Sequence, residues 1–246
     1  MGSRVISVYS TKGGVGKTTT AVNLAWLAAA DGNRVLLWDL DPQASATWLL
    51  DVRQKLRGGA EAVLAGDKRV GKAVRPSSVR GLDVLPGDSS YRGLDIALDA
   101  SKKSSSRLRR ALDPLQADYD VIVLDCPPGS SLVAENALRA AGVVVSPLAP
   151  ALLSLRAHAQ VRELVDAQKK SPSLVAFLNM VDRRKKSHRE AVEELPSRAS
   201  AISDIVVPAS VIVERMAERR AAIGEFAASS GAAHAFSALW QTVAHL

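Results

Sequence analysis

A single cysteine, Cys126, stands among 246 residues. That excludes an intrachain disulfide framework and a CxxC metal site, and it suits a reducing compartment, the cytoplasm. The four histidines (His158, His188, His234 and His245) lack the spacing of a zinc-ligand set. Aromatics are scarce as well, at 4% of a chain that is 47% hydrophobic. The core must therefore be built from Ala, Val, Leu and Ile, a composition that suits parallel strands covered by helices and excludes global disorder. Long apolar runs are missing. The longest, Val143 to Leu155, is broken by Pro147 and Pro150 and falls short of the roughly 20 residues of a spanning helix. The strand signal starting at Arg4 leaves little length for a signal peptide ahead of it, so neither export nor a membrane partner is expected. Acidic charge is in deficit: 32 Lys and Arg against 25 Asp and Glu give +7. From Val52 to Arg110 the count is 14 basic against 6 acidic, a surplus that attracts polyanions or simply keeps a surface solvated.

What the chain does have is a glycine-rich turn in an informative place. Arg4 to Tyr9 is β-branched and aromatic, as a buried strand requires, and Ala21 to Ala28 repeats apolar residues on a helical period. Between them runs Ser10-Thr11-Lys12-Gly13-Gly14-Val15-Gly16-Lys17-Thr18-Thr19-Thr20. A glycine loop from a strand into a helix N-terminus lets backbone N–H groups curl around a phosphate. A lysine at Lys17 then reaches the terminal phosphates, and the Thr18 hydroxyl can ligate Mg²⁺. The general pattern is G-x-x-x-x-G-K-[ST]; here Thr11 replaces its first glycine and Lys12 follows.

Later segments supply acids and bases at strand ends. Asn33 to Asp39 predicts a second strand, ending in Asp39-Leu40-Asp41-Pro42-Gln43, with a helix expected to begin at Pro42 and Gln43. Asp41 is placed either to cap that helix or to align a water near a phosphate. Residues 52–80 are the least legible: a short helix from Ala60 to Ala65, then a basic loop to Ser78, expected as a variable insertion in a single domain spanning 1–246. Gly81 to Leu85 predicts a strand. Tyr91 to Leu115 predicts a helix carrying Lys102, Lys103, Arg107, Arg109 and Arg110, read as an exposed face. Asp120 to Asp125 is an apolar strand ending in acid, followed by Cys126-Pro127-Pro128-Gly129. Helices are expected over Leu132–Ala140, Leu155–Lys170 and Ala232–Leu246, the last packing through Phe236, Leu239, Trp240 and Val243. Strands are expected over Gly142–Pro147, Ser173–Asp182 and up to Pro208. The alternation predicts an α/β fold, a mostly parallel twisted sheet flanked by helices on both faces.

The loop Lys12-Gly13-Gly14-Val15-Gly16-Lys17-Thr18, with Asp39-Leu40-Asp41-Pro42-Gln43 and Asp125-Cys126-Pro127-Pro128, resembles the deviant Walker A P-loop ATPases of the ParA/MinD family, on the ParA side, over nearly the whole chain. The resemblance implies ATP and Mg²⁺ as cofactors, held by Gly13, Gly14, Val15, Gly16, Lys17, Thr18 and Thr19. It implies an ATP-dependent homodimer in which Lys12 crosses to the partner's nucleotide. Asp41 would orient the attacking water, while Thr18, Asp41 and Asp125 serve the metal. Asn179 and the backbone beyond Pro208 would flank the adenine. Arg183, Arg184, Lys185, Lys186, Arg189, Arg215 and Arg219 would bind DNA without reading sequence. The implied role is positioning or segregating plasmid or chromosomal DNA in the cytoplasm, on the nucleoid, with hydrolysis stimulated by a ParB-like centromere-binding protein. Rival readings are a positioning ATPase with a protein cargo, an amide-forming or cluster-assembly ATPase on the same fold, and a membrane-bound MinD-like regulator. No Lys or Arg follows Arg220, which disfavours the last.

Overall fold

Runs of aliphatic residues that alternate with helical stretches put every central strand between two layers of helices. A computed structural model describes residues 2–56, 58–64, 69–99 and 106–246. The elements are β1 (Arg4–Val8), α1 (Lys17–Ala30), β2 (Val35–Asp39), α2 (Ser45–Leu49), α3 (Gly59–Leu64), α4 (Arg69–Ala73), β3 (Arg75–Pro76), β4 (Leu82–Leu85), α5 (Leu94–Asp99) and α6 (Arg107–Leu112). They continue with β5 (Val121–Asp125), α7 (Leu132–Ala140), β6 (Val143–Leu148), α8 (Leu153–Asp166), β7 (Ser173–Val181), α9 (Lys186–Arg198), β8 (Ile202–Pro208), α10 (Val211–Arg219), α11 (Ile223–Phe226) and α12 (Gly231–Ala244). Among the described residues eight strands form one sheet, in the order β3-β4-β2-β5-β1-β6-β7-β8. All neighbours run parallel except the short edge pair β3–β4.

Burial on both faces explains why these strands read as continuous apolar runs. In β1, Ile6 and Val8 join one core with α1 and α12, while Val5, and Tyr9 just past the strand, join the other with α6 and α7. β2 divides in the same way, Val35 and Leu37 against Leu36 and Trp38. Trp38, fully buried, donates its indole N–H to the Tyr91 hydroxyl at 2.8 Å, so the largest core side chain leaves no polar group unpaired. α12 packs through Phe236, Leu239, Trp240 and Val243, as its spacing predicts.

Three local expectations are corrected, and one helix is added to them. No helix begins at Pro42: Ala44 takes a left-handed conformation, φ 53°, and α2 starts at Ser45. Asp41 accepts the Gln43 N–H and so closes a turn, not a helix. The basic loop after α3 contains α4 and the edge strand β3, and Ala60, Val63, Leu64 and Val70 of this region are buried in the core. The single helix expected from Tyr91 to Leu115 is a 3-10 turn, α5, α6 and a second 3-10 turn at Asp113–Leu115 around Pro114; Arg107, Arg109 and Arg110 lie on α6. Lys102 and Lys103, like Ala65, lie outside the described residues. Finally, α9 passed unnoticed in the sequence, because its apolar stripe is thin: only Ala191 and Leu195 are buried.

Candidate functional site

Parallel strands place their C-terminal ends on one edge, the edge where open α/β sheets take ligands. The glycine loop leaves β1 there. Gly14 and Gly16 have φ of 71° and 90°, values that suit glycine, and the loop feeds directly into α1. The first turn of α1 has neither a side-chain cap nor an acidic residue, so its N–H groups remain free for an anion. A Cβ on Gly14 would meet nothing within 4 Å, whereas one on Gly16 would lie 2.2 Å from Asn179 Nδ2. The loop is therefore open on one side and backed by β7 on the other. Lys17 is 7% exposed, its ammonium donates to the Lys12 carbonyl at 3.0 Å, and burial pulls its proton affinity down against the nearby Asp125. Among the described residues the Lys12 ammonium meets no acceptor. Val15 is buried, and Gly13 and Gly14 are exposed at the mouth of the loop.

Two carboxylates share the floor. β2 and β5 pair with Asp39 directly opposite Asp125, both fully buried. Asp39 is satisfied: Oδ2 accepts the Thr47 N–H at 2.8 Å and the Thr47 hydroxyl at 2.7 Å, and Oδ1 accepts the Asp41 N–H. Burial still pushes its carboxyl up to about 6. Neither oxygen of Asp125 has a partner with good hydrogen-bond geometry, although the Thr18 hydroxyl lies close enough to favour the charged form. Burial first, and Asp39 second, raise its carboxyl well above the usual range. A buried, unpaired carboxylate beside a hydroxyl is costly unless a cation shares the space. Asp41, half-buried on the loop above, completes the acids. No group of three His, Cys, Asp or Glu side chains among the described residues forms a metal cage. Magnesium needs none, since one or two carboxylates, waters and phosphate oxygens suffice. The residues present thus fit a triphosphate and its magnesium ion.

Asn179, near the C-terminal end of β7, is turned into the loop. Its Nδ2 donates to the Val15 carbonyl at 2.8 Å and its Oδ1 accepts the Met180 N–H. Both functions of the amide are engaged, so here it braces the loop. Met180 beside it holds a left-handed φ of 60°, and Val181 pairs with Pro208 on β8.

The basic segments leave the same edge after β7 and β8. Arg183, Arg184, Lys185, Lys186 and Arg189 are exposed around the start of α9. Arg184 is held by Asp182 through two contacts of 2.9 Å, Arg189 donates to the Arg183 and Arg184 carbonyls, and Lys186 faces Glu190. On α10, Arg215 faces Glu218 at 3.8 Å. Among the described residues the side chains of Arg183, Lys185 and Arg219 have no such partner.

A family profile described as an AAA domain matches residues 3–176. The chromosome partitioning protein ParA of Myxococcus xanthus is 35% identical over 215 residues, 85% of this chain and 76% of that protein. The chain belongs to the ParA/MinD family. Soj of Bacillus subtilis, a sporulation initiation inhibitor protein, is 34% identical over 198 residues, 78% of each chain. Among solved structures, the cobyrinic acid a,c-diamide synthase of Mycobacterium smegmatis with bound ADP and magnesium superposes with a TM-score of 0.82 at 28% identity, over 99% of this ParA/MinD-family chain and 94% of that one.

Several residues at the ParA/MinD-type site escaped sequence reading. Thr47 grips Asp39 and in turn accepts the Gly87 N–H at 2.9 Å. Gly87 is obligatory there, since a Cβ would lie 2.8 Å from the Asp41 carbonyl. Asn23, buried within α1, accepts the Ile223 N–H and donates to the Thr19 carbonyl. Its amide on an otherwise apolar helix stripe was the one available signal. Nothing in the sequence marks Thr47 or Gly87, whose partners are remote.

Proposed function

We propose that the chain is a magnesium-dependent ATPase that forms an ATP-sandwiched homodimer, binds DNA without sequence preference, and segregates or positions plasmid or chromosomal DNA. The observation that carries this reading is the contrast between two lysines of one loop. Lys17 is folded back onto its own loop, while the ammonium of Lys12 finds no partner among the described residues. In this reading Lys12 serves the partner subunit's triphosphate.

The loop from Gly13 to Thr19 would bind the phosphates through backbone N–H groups, with Lys17 orienting the terminal ones. Magnesium, when bound, would neutralise charge on the transferred phosphoryl group. Thr18 and Asp125 would hold it and its water shell. Asp41 would align the attacking water, Asp39 and Thr47 keeping its loop in place. Asn179 and the backbone after Pro208 would border the base. No arginine finger is announced by the sequence, so turnover is expected to be slow until a ParB-like centromere-binding partner stimulates it. Arg183, Arg184, Lys185, Lys186, Arg189, Arg215 and Arg219 would neutralise DNA phosphates, and dimerisation would double that surface. The protein would act in the cytoplasm, on the nucleoid. Residues 1–246 would act as one ATPase domain in which 52–80 is a segment particular to this chain. No described helix is long and apolar enough to cross a membrane.

The likeness to a diamide synthase favours one rival, an amide-forming ATPase. Gel filtration with ATP, ADP or no nucleotide, with and without plasmid DNA, tests the main reading. ATP should yield a dimer that co-elutes with DNA; a monomer under all conditions refutes it, and turnover driven by a carboxylic-acid substrate instead of DNA supports the rival.

A further inference from the structure

Arg220, half-buried, ties together two elements that are remote in sequence. It follows α10 at a left-handed φ of 49° and reaches 172 residues back to the end of α2. Its Nε and Nη2 donate to the Trp48 carbonyl at 3.1 and 2.9 Å, its Nη1 meets Asp51 at 2.6 Å, and the guanidinium lies 4.9 Å from the Trp48 ring centre. A planar fork that saturates a backbone carbonyl, pairs with an acid and stacks on indole uses every property that separates arginine from lysine.

The carbonyl it grips ends a short relay. Trp48 N–H donates to the Ala44 carbonyl, and Ala44 N–H donates to the Asp41 carbonyl. One residue before Trp48, Thr47 holds Asp39. On the other side, α10 is anchored by Met216, which is buried and contacts Asn23 of α1. We propose that Arg220 is a positioning residue for Asp41: it fixes α2, so that movement of α10, or a ligand on it, is felt at the acid loop. This rests on the ATPase reading above for its catalytic consequence, though not for the clamp itself.

Two measurements test it. In nucleotide-free protein, hydrogen exchange of residues 44–51 should quicken about tenfold in Arg220→Ala, because those amides lose their tether. With Mg·ATP, kcat should fall on the order of 10- to 100-fold with KM little changed, the mark of misplacement rather than lost binding. Arg220→Lys, the milder variant, keeps a charge for Asp51 but not the fork and should fail to rescue kcat. Asp51→Asn should stay within about fivefold, the worth of an exposed ion pair. Unchanged exchange in Arg220→Ala, or full turnover in Arg220→Lys, overturns the proposal. Should the parent protein not hydrolyse ATP at all, the ATPase reading fails while the exchange result still decides the clamp.

Discussion

At the scale of single residues, the loop carries the sharpest expectations. Lys12→Ala removes an ammonium that meets no acceptor among the described residues, from a half-buried position, so the monomer should fold and melt like the parent. Turnover should nonetheless drop on the order of 10²-fold and ATP should no longer produce a dimer, if that ammonium stabilises a neighbour's phosphates; sedimentation with ATP and a phosphate-release assay check both. Gly16→Ala is the opposite case. A left-handed φ costs an L-residue roughly 1–2 kcal/mol, and the added methyl would also drive Asn179 off the Val15 carbonyl. Thermal stability and nucleotide affinity should both fall. Cys126 follows the buried acid Asp125 yet is inert by position: it is 1% exposed, contacts Ser7, and burial pushes its thiol up to about 12. A thiol reagent should label nothing in the native protein at pH 7.5 and one equivalent after denaturation.

At the scale of elements, one helix contact holds a pH response. α8 docks through His158, which is buried, with Nε2 on the Ser200 carbonyl and Nδ1 without a partner. Burial lowers its proton affinity, and Arg162 works in the same direction. The folded state therefore resists a proton that the unfolded chain accepts near pH 6.5. Below that value the unfolded state binds more protons, so stability rises with pH and is lost on acidification. Melting temperature should drop between pH 7 and pH 5, and His158→Gln should flatten that slope while lowering stability at pH 7 through lost packing. The charge pattern of α9 is also an element-scale matter. Its N-terminal end gathers cations against the helix dipole, which is unfavourable in isolation. Asp182 offsets part of this through Arg184.

For the whole molecule, the parallel sheet sets the design: loop, acids and basic segments all sit at strand C-termini, along one edge. A dimer formed across that edge would bring two basic faces together. Duplex binding should then require ATP, ignore sequence and weaken steeply with salt, each phosphate contact adding about 0.9 to the logarithmic slope. Replacing Arg183 and Lys185 by alanine should reduce that slope without altering ATP turnover in the absence of DNA. Equal binding by nucleotide-free protein would contradict the switch.

Sequence alone settled what depends on neighbours along the chain. The strand–loop–helix around Lys17, the acid that ends β5 and the βα rhythm were legible because period, glycine placement and strand-end position are local properties. The acid-ended β2 was legible too, yet its two carboxylates look equivalent in one dimension. Only the register of β2 against β5 makes Asp39 the buried partner of Asp125 and leaves Asp41 on the loop. Tertiary structure likewise decided that Pro42 opens a turn, that Asn179 braces the loop, and that Arg220 reaches α2. Each of those outcomes depends on a partner tens to hundreds of residues away, or on a backbone twist such as that of Ala44, and side-chain chemistry read in order carries no record of which distant group will come to lie beside it.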